Sequence, residues 1–174
     1  TTPTPPAVGA PVALGAAIVA ATKAAAAEQV GIARLGAALQ ANITGFDGNT
    51  TAIERTIRSR EKLAFSDDSL RNSLALLVPA THDVSKALEL QAIAMDLSRL
   101  RGTDLAETSV LLSKVYQGNL TSLKRFGINL KGVTTATEAL AKIQELAAGQ
   151  AEAYGNTIVG KSEAIEIKLQ DLTE

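Results

Sequence analysis

No sustained run in this chain alternates apolar with polar residues; apolar side chains return instead every three or four positions. That spacing gathers them on one face of a helix, whereas a half-buried strand needs a period of two. Ile32, Leu35, Leu39 and Ile43 step by 3, 4 and 4. Leu70, Leu74 and Leu77 follow the same rule, as do Ala87, Leu90, Ala94 and Leu97, then Leu105, Leu112 and Val115, then Leu140, Ile143 and Ala147. Ile165, Leu169 and Leu172 close the series. The expected fold class is therefore all-α, seven or eight helices of uneven length with Gly-rich breaks and no sheet.

Local signals divide the chain. Pro3, Pro5, Pro6 and Pro11 mark residues 1–11 as a linker, residues 12–45 read as a long Ala-rich helix, and residues 46–174 as a compact helical domain. Gly45, Asp47, Gly48 and Asn49 form the first break. Thr51–Glu54 and Thr135–Glu138 have the spacing of capping boxes, in which each side chain satisfies the other residue's free N–H. Between them, Ile53, Ile57 and Ala64 carry an apolar stripe opposite Arg55, Arg58 and Lys62. Ser66-Asp67-Asp68 starts another helix, with carboxylates at the positive end of its dipole, and Pro79 is expected to stop it. Asp83 to Arg101 is a longer helix ended by Gly102, and Asp104 opens the next. Gly118-Asn119 breaks the chain again, a short helix runs to Gly127, and Ile128 to Leu130 is a brief extended piece. Gly149 lies within a helix or marks a bend.

Composition limits what these helices can do. Of 174 residues, 46% are hydrophobic but only 3% aromatic, and much of the apolar fraction is alanine. Alanine favours helix and buries little area, so cores come from Leu, Ile and Val with helices in close approach. Such faces also permit self-packing, including as a coiled coil. The net charge of −1 gives no basic excess for a dedicated nucleic-acid binder. There is no cysteine, hence no disulfide frame or thiolate metal site. Residues 1–22 carry no charge, yet prolines leave only Val12 to Ala21 as an unbroken apolar run. That is short of the about 20 residues that span a bilayer, and no basic region precedes it as in a signal peptide. The run is read as a linker entering a buried or oligomer-facing Ala-rich helix, with a membrane-seeking segment the alternative. Starting at Thr1 without Met, the chain looks like a section of a longer protein.

The sharpest chemical signal is Gly155-Asn-Thr-Ile-Val-Gly160-Lys161-Ser162, which fits the phosphate-loop pattern G-x-x-x-x-G-K-[ST]. A working loop sits between a buried strand and a helix, where N–H groups cradle phosphates, Lys reaches the outer oxygens and the hydroxyl holds magnesium. Here the preceding stretch is the helix former ELAAGQAEAY, and only twelve residues follow Ser162. The expected role is a turn: Gly155 and Gly160 end one helix, and Ser162 caps the next. Nucleotide binding through Gly160, Lys161 and Ser162 is the alternative from the enzyme class.

No catalytic, cofactor-binding or metal-ligating residue is assigned. His82 is the only histidine, which rules out a His-His metal site, and its place beside Asp83 suggests capping or surface. Asp67-Asp68 and the pair Glu138/Glu145 are expected to be solvated rather than paired for acid–base work. Arg55, Arg58, Arg60 and Lys62, interleaved with Glu54 and Glu61, have the pattern of an exposed helix face. Asn42, Asn49 and Asn119 head N-x-[ST] triplets and are read as loop residues, since no secretory signal accompanies them.

Three pieces beyond Thr81 occur together in a recognisable order: an Ala-rich helix ending in RGTDLAE (Arg101 to Glu107), then SKVYQGNLTSLKRFGI (Ser113 to Ile128), then the closing GNTIVGKSEAIEIKLQDL. From Thr81 to Glu174 the chain resembles the tape measure proteins of long-tailed bacteriophages; residues 51–80 fit more loosely, and the first fifty only as an Ala/Gly-rich helix. The resemblance implies a structural, non-enzymatic protein of the virion, lying in the lumen of the tail tube. There its helical length sets tail length, at about 1.5 Å per residue. It also implies release during DNA ejection, contact with the host cell envelope, and partners among the tail tube protein, tail assembly chaperones and tail tip proteins. Self-association is expected. Short Gly-punctuated helices suit a compact section near the membrane-active or tip-proximal part better than the uninterrupted ruler.

Overall fold

The structure, a computed structural model, describes residues 10–171. It is all-α, with no strand among the described residues. The helices are α1 (Ala10–Asn42), α2 (Thr51–Arg60), α3 (Asp67–Thr81), α4 (Val84–Arg101), α5 (Leu105–Tyr116), α6 (Thr121–Arg125), α7 (Ala136–Ala147), α8 (Gln150–Gly155) and α9 (Ile158–Asp171). A 3-10 turn, Glu61–Leu63, follows α2. Residues 1–9 of the expected linker lie outside the described residues. Its last two, Ala10 and Pro11, already belong to α1, where a proline in the first turn costs no hydrogen bond. No described helix is long and apolar enough to cross a membrane.

Helix α3 is the axis of the fold. It packs against α1, α4 and α5; α4 and α5 both meet α7, α4 also meets α8, and α9 lies on α8 and the 3-10 turn. Most of the spacing read from the sequence buries, but Ile165 and Leu169 are exposed and Leu172 lies outside the described residues. Leu70, Leu74 and Leu77 are at most 1% exposed, and Ile53, Ile57, Ala87, Leu90, Leu112, Val115 and Ile143 join one core. Two polar bonds tie its layers. Ser73 and Ser109 share a hydroxyl–hydroxyl bond of 2.7 Å between α3 and α5, and Gln91 Nε2 donates to the Leu70 carbonyl at 2.7 Å. A small residue on each side of the α3–α5 seam lets those helices approach closely, as an alanine-rich sequence requires.

On α1, Leu35 and Leu39 are buried but Ile32 is exposed. Gly31 meets α3, since a Cβ there would come 2.8 Å from the Asp68 carboxylate.

Most helix ends follow the sequence signals. Ser66, Asp83 and Asp104 accept backbone N–H groups of α3, α4 and α5, and Gly102 closes α4 at φ 64°. Thr135 and Glu138 form a complete capping box. Gly149, at φ 77°, is a bend between α7 and α8. Its helix is capped from a distance: Asp96 on α4 accepts from Gly149 N and Ala151 N, at 3.3 and 2.9 Å.

Two expectations need correction. Pro79 does not stop α3, which runs on to Thr81. Proline removes one donor, and the Thr81 hydroxyl bonds the Leu77 carbonyl at 3.2 Å, completing the last turn. His82 then ends the helix in the left-handed conformation at φ 51°, with its Nδ1 at 3.2 Å from the Asn42 carbonyl. The capping box expected at Thr51–Glu54 does not form: Thr51 N bonds Asn49 Oδ1, and Glu54 turns to Arg71. Ile128–Leu130 lies outside every helix, and Ile128 N bonds the Leu123 carbonyl at 2.8 Å.

Candidate functional site

The eight residues Gly155 to Ser162 span the end of α8, a two-residue turn and the first turns of α9. A helix stands where a phosphate loop needs a strand. Three of the loop's N–H groups are already bonded: Thr157 N to the Tyr154 carbonyl, Gly160 N to the Thr157 hydroxyl and Lys161 N to the Thr157 carbonyl, at 2.9, 3.0 and 3.0 Å. The turn is as expected, but its parts differ. Thr157, not Ser162, caps α9, and Gly160 lies inside that helix.

The glycines serve packing. A Cβ on Gly160 would stand 2.2 Å from the Tyr154 carbonyl oxygen, and one on Gly155 would stand 3.0 Å from that of Lys62. Both helices therefore cross with backbone against backbone. The Gly-Lys pattern arises from a tight helix crossing.

Arg99 of α4 fastens the same corner. Its guanidinium lies between two rings, 4.2 Å from the Phe65 centroid and 3.9 Å from that of Tyr154. It donates to the Ala64 carbonyl and stands 3.9 Å from Glu163, which also accepts from the Tyr154 hydroxyl at 2.7 Å. A flat, weakly hydrated cation is suited to such a stack. This bond to a carboxylate holds the Tyr154 proton more firmly, so its pKa lies above the usual tyrosine value.

A second cation organises another cluster. Arg71 of α3 is 3% exposed and faces carboxylates from three helices. Nη1 meets Asp67 at 2.6 Å and Asp68 at 3.6 Å, while Nη2 meets Glu54 at 3.0 Å and Glu28 at 3.5 Å. Nε adds bonds to both Glu54 oxygens. Four carboxylates around one guanidinium leave an excess of negative charge, and its reach extends to α9. Asp171 has a raised pKa, first from burial and then from Asp67 and Glu28. Glu61 is likewise raised, by burial and then by Asp171 and Asp67.

Sequence reading gave Asp67-Asp68 to solvent and passed over Arg71, because an arginine among leucines looks like one polar position on an amphipathic helix. Asp67 is instead a half-buried partner of Arg71, though Asp68 remains exposed. Two of the Arg71 partners, Glu54 and Glu28, lie on other helices far away in sequence, beyond any local pattern.

The remaining candidates fall into structural roles. Arg55, Arg58 and Lys62 are exposed, but Arg60 is half-buried and donates to Gln91 Oε1 and, at 3.0 Å, to the Leu88 carbonyl. Glu138 is engaged in its capping box, which lowers its pKa through the Thr134 and Thr135 N–H groups. Glu145 pairs with Lys142. Asn42, Asn49 and Asn119 each bond to a nearby residue: the Ala38 carbonyl, Thr51 N and the Thr121 hydroxyl.

A groove of about 600 Å³ between α3, α5 and α6 is lined by Leu76, Val110, Leu111 and Phe126 together with Lys114 and Arg125. Among the described residues, no three His, Cys, Asp or Glu side chains are arranged to hold a metal ion. The two organised polar centres join helices to one another. Comparison with family models, curated proteins and solved structures finds no match.

Proposed function

We propose that this chain is a folded, non-catalytic section of a bacteriophage tail tape measure protein. The observation that carries the reading is the order and spacing of RGTDLAE, SKVYQGNLTSLKRFGI and GNTIVGKSEAIEIKLQDL between Arg101 and Leu172, pieces that resemble that family together. The organisation of the described residues is compatible with it. Polar centres hold helices in place, and the phosphate-loop pattern is used in a helix crossing.

On this reading the section rides in the tail tube lumen as part of a longer chain. Its neighbours are the tail tube protein, the tail assembly chaperones during construction, and the tail tip proteins. It leaves with the tape measure when DNA is ejected and meets the host envelope then. A bundle of short helices occupies far less length than one continuous helix of about 1.5 Å per residue. Its role is therefore that of a packed body on the ruler.

Cross-linking of intact virions tests the placement. Lysines of this section, such as Lys86, Lys114 and Lys131, are expected to link to the tail tube or tip proteins. Links confined to head proteins would overturn it.

A further inference from the structure

Helix α9 is held to the body by one side only. Gly160 is buried against Tyr154 and Gly155, and Glu163, Ala164 and Ile167 are buried to an intermediate degree. The other side is apolar and open: Ile158 is 85% exposed, Ile165 60% and Leu169 59%. Side chains of this kind scattered singly need no explanation, but these three share one stripe.

Ile158, Ser162, Ile165 and Leu169 step by 4, 3 and 4, the a/d spacing of a two-stranded coiled coil. Ser162 and Leu169 then take the a positions, and Ile158 and Ile165 the d positions. With that register, Lys161 and Lys168 are g residues along one edge of the stripe, and Glu166 is an e residue along the other. All three are exposed. The residues turned to the body occupy b, c and f, the positions a coiled coil does not use. The fold thus leaves a whole seam free.

The charges choose the occupant. In a parallel pair, each g residue faces the e residue five positions later on the other helix. Lys161 plus five is Glu166, so two copies of α9 side by side would set Lys161 of each against Glu166 of the other. An antiparallel pair would set g against g, lysine against lysine. We propose that α9 is a self-association element, which pairs in parallel and in register with α9 of a second copy of this chain through Ile158, Ile165 and Leu169. The seam is short and has a serine at one a position, so the dimer is weak on its own. In a longer assembly that already holds copies side by side, it sets their register.

Sedimentation equilibrium on the 174-residue chain tests this, over roughly 10 µM to 1 mM, where a weak dimer is resolved. A monomer–dimer equilibrium is expected. Lys161→Glu alone and Glu166→Lys alone each turn both symmetric contacts repulsive and weaken dimerisation, by roughly tenfold. Mixing the two variants restores it as a heterodimer, because every g–e contact is again opposite in sign. Unchanged helical circular dichroism of each variant shows that the body stays folded, since both positions are exposed. A wild-type chain that stays monomeric to 1 mM, a dimer indifferent to either reversal, or a mixture that fails to recover would each overturn the proposal.

Discussion

Arg71 grips Glu54 through two nitrogens, Nε at 3.2 Å and Nη2 at 3.0 Å, joining α3 to α2 beneath the edge of α1. The guanidinium is the one cation among four contacting carboxylates, so its removal leaves like charges facing one another in a poorly solvated place. Arg71→Ala is expected to lower stability by about 3–5 kcal/mol, and Glu54→Gln by about 1–3 kcal/mol. Urea denaturation at neutral pH checks both. A loss under 1 kcal/mol for Arg71→Ala would mean the cluster is solvated and idle.

The same excess of acid gives a pH dependence of definite sign. Asp171 and Glu61 have folded pKa values above their ordinary ones, so each disfavours the folded state when ionised. That penalty is full at neutral pH, is relieved as pH falls through the raised folded values, and is gone below the ordinary carboxylate range. Asp171→Asn is therefore expected to stabilise at pH 7 and to change little below about pH 3.5. Thermal melts of both proteins across that range are the check. A variant less stable than the parent at pH 7 would contradict the assignment.

Glycine substitutions separate packing from propensity. Gly160→Ala forces a methyl into the Tyr154 carbonyl and is expected to cost about 3 kcal/mol or to part α9 from α8. Gly36→Ala in α1 meets nothing within 4 Å and is expected to gain about 0.5–1 kcal/mol, as helix propensity dictates. Opposite signs in parallel denaturation curves are the expected result.

Arg99 provides a test of stacking against charge alone. Lysine keeps the charge but cannot lie flat between Phe65 and Tyr154 while donating to the Ala64 carbonyl. Arg99→Lys is expected to lose about 1–2 kcal/mol, with increased hydrogen exchange in α8 and α9. Equal stability of the two would show that the rings do not hold the guanidinium.

Mg-ATP titrated into the chain is expected to give no saturable heat, with Lys161→Ala indistinguishable, because the motif lies between two helices and its Thr157, Gly160 and Lys161 N–H groups are already bonded. Saturable binding lost in the variant would restore the nucleotide reading.

How much of this was legible in the sequence depends on how far each residue's partner lies. Helix identity and buried faces were plain, since Leu70, Leu74 and Leu77 carry their own spacing. So were caps whose two halves sit within three residues, such as Thr135 with Glu138. Glu54 has the same spacing from Thr51, yet its box is absent: a buried guanidinium offers a carboxylate more than a surface N–H does. The links of Arg71 to Glu54 and Glu28, and of Asp96 to the start of α8, are not legible locally because those partners come from other helices. Thr157 rather than Ser162 caps α9, because the helix begins at Ile158, inside the motif and not after it.

Peptide mass spectrometry on intact virions of the parent phage, beside particles emptied of DNA, tests the central claim most directly. The account predicts peptides of this chain in full tails and their depletion after ejection. Their absence from intact virions, or equal amounts before and after ejection, would contradict it.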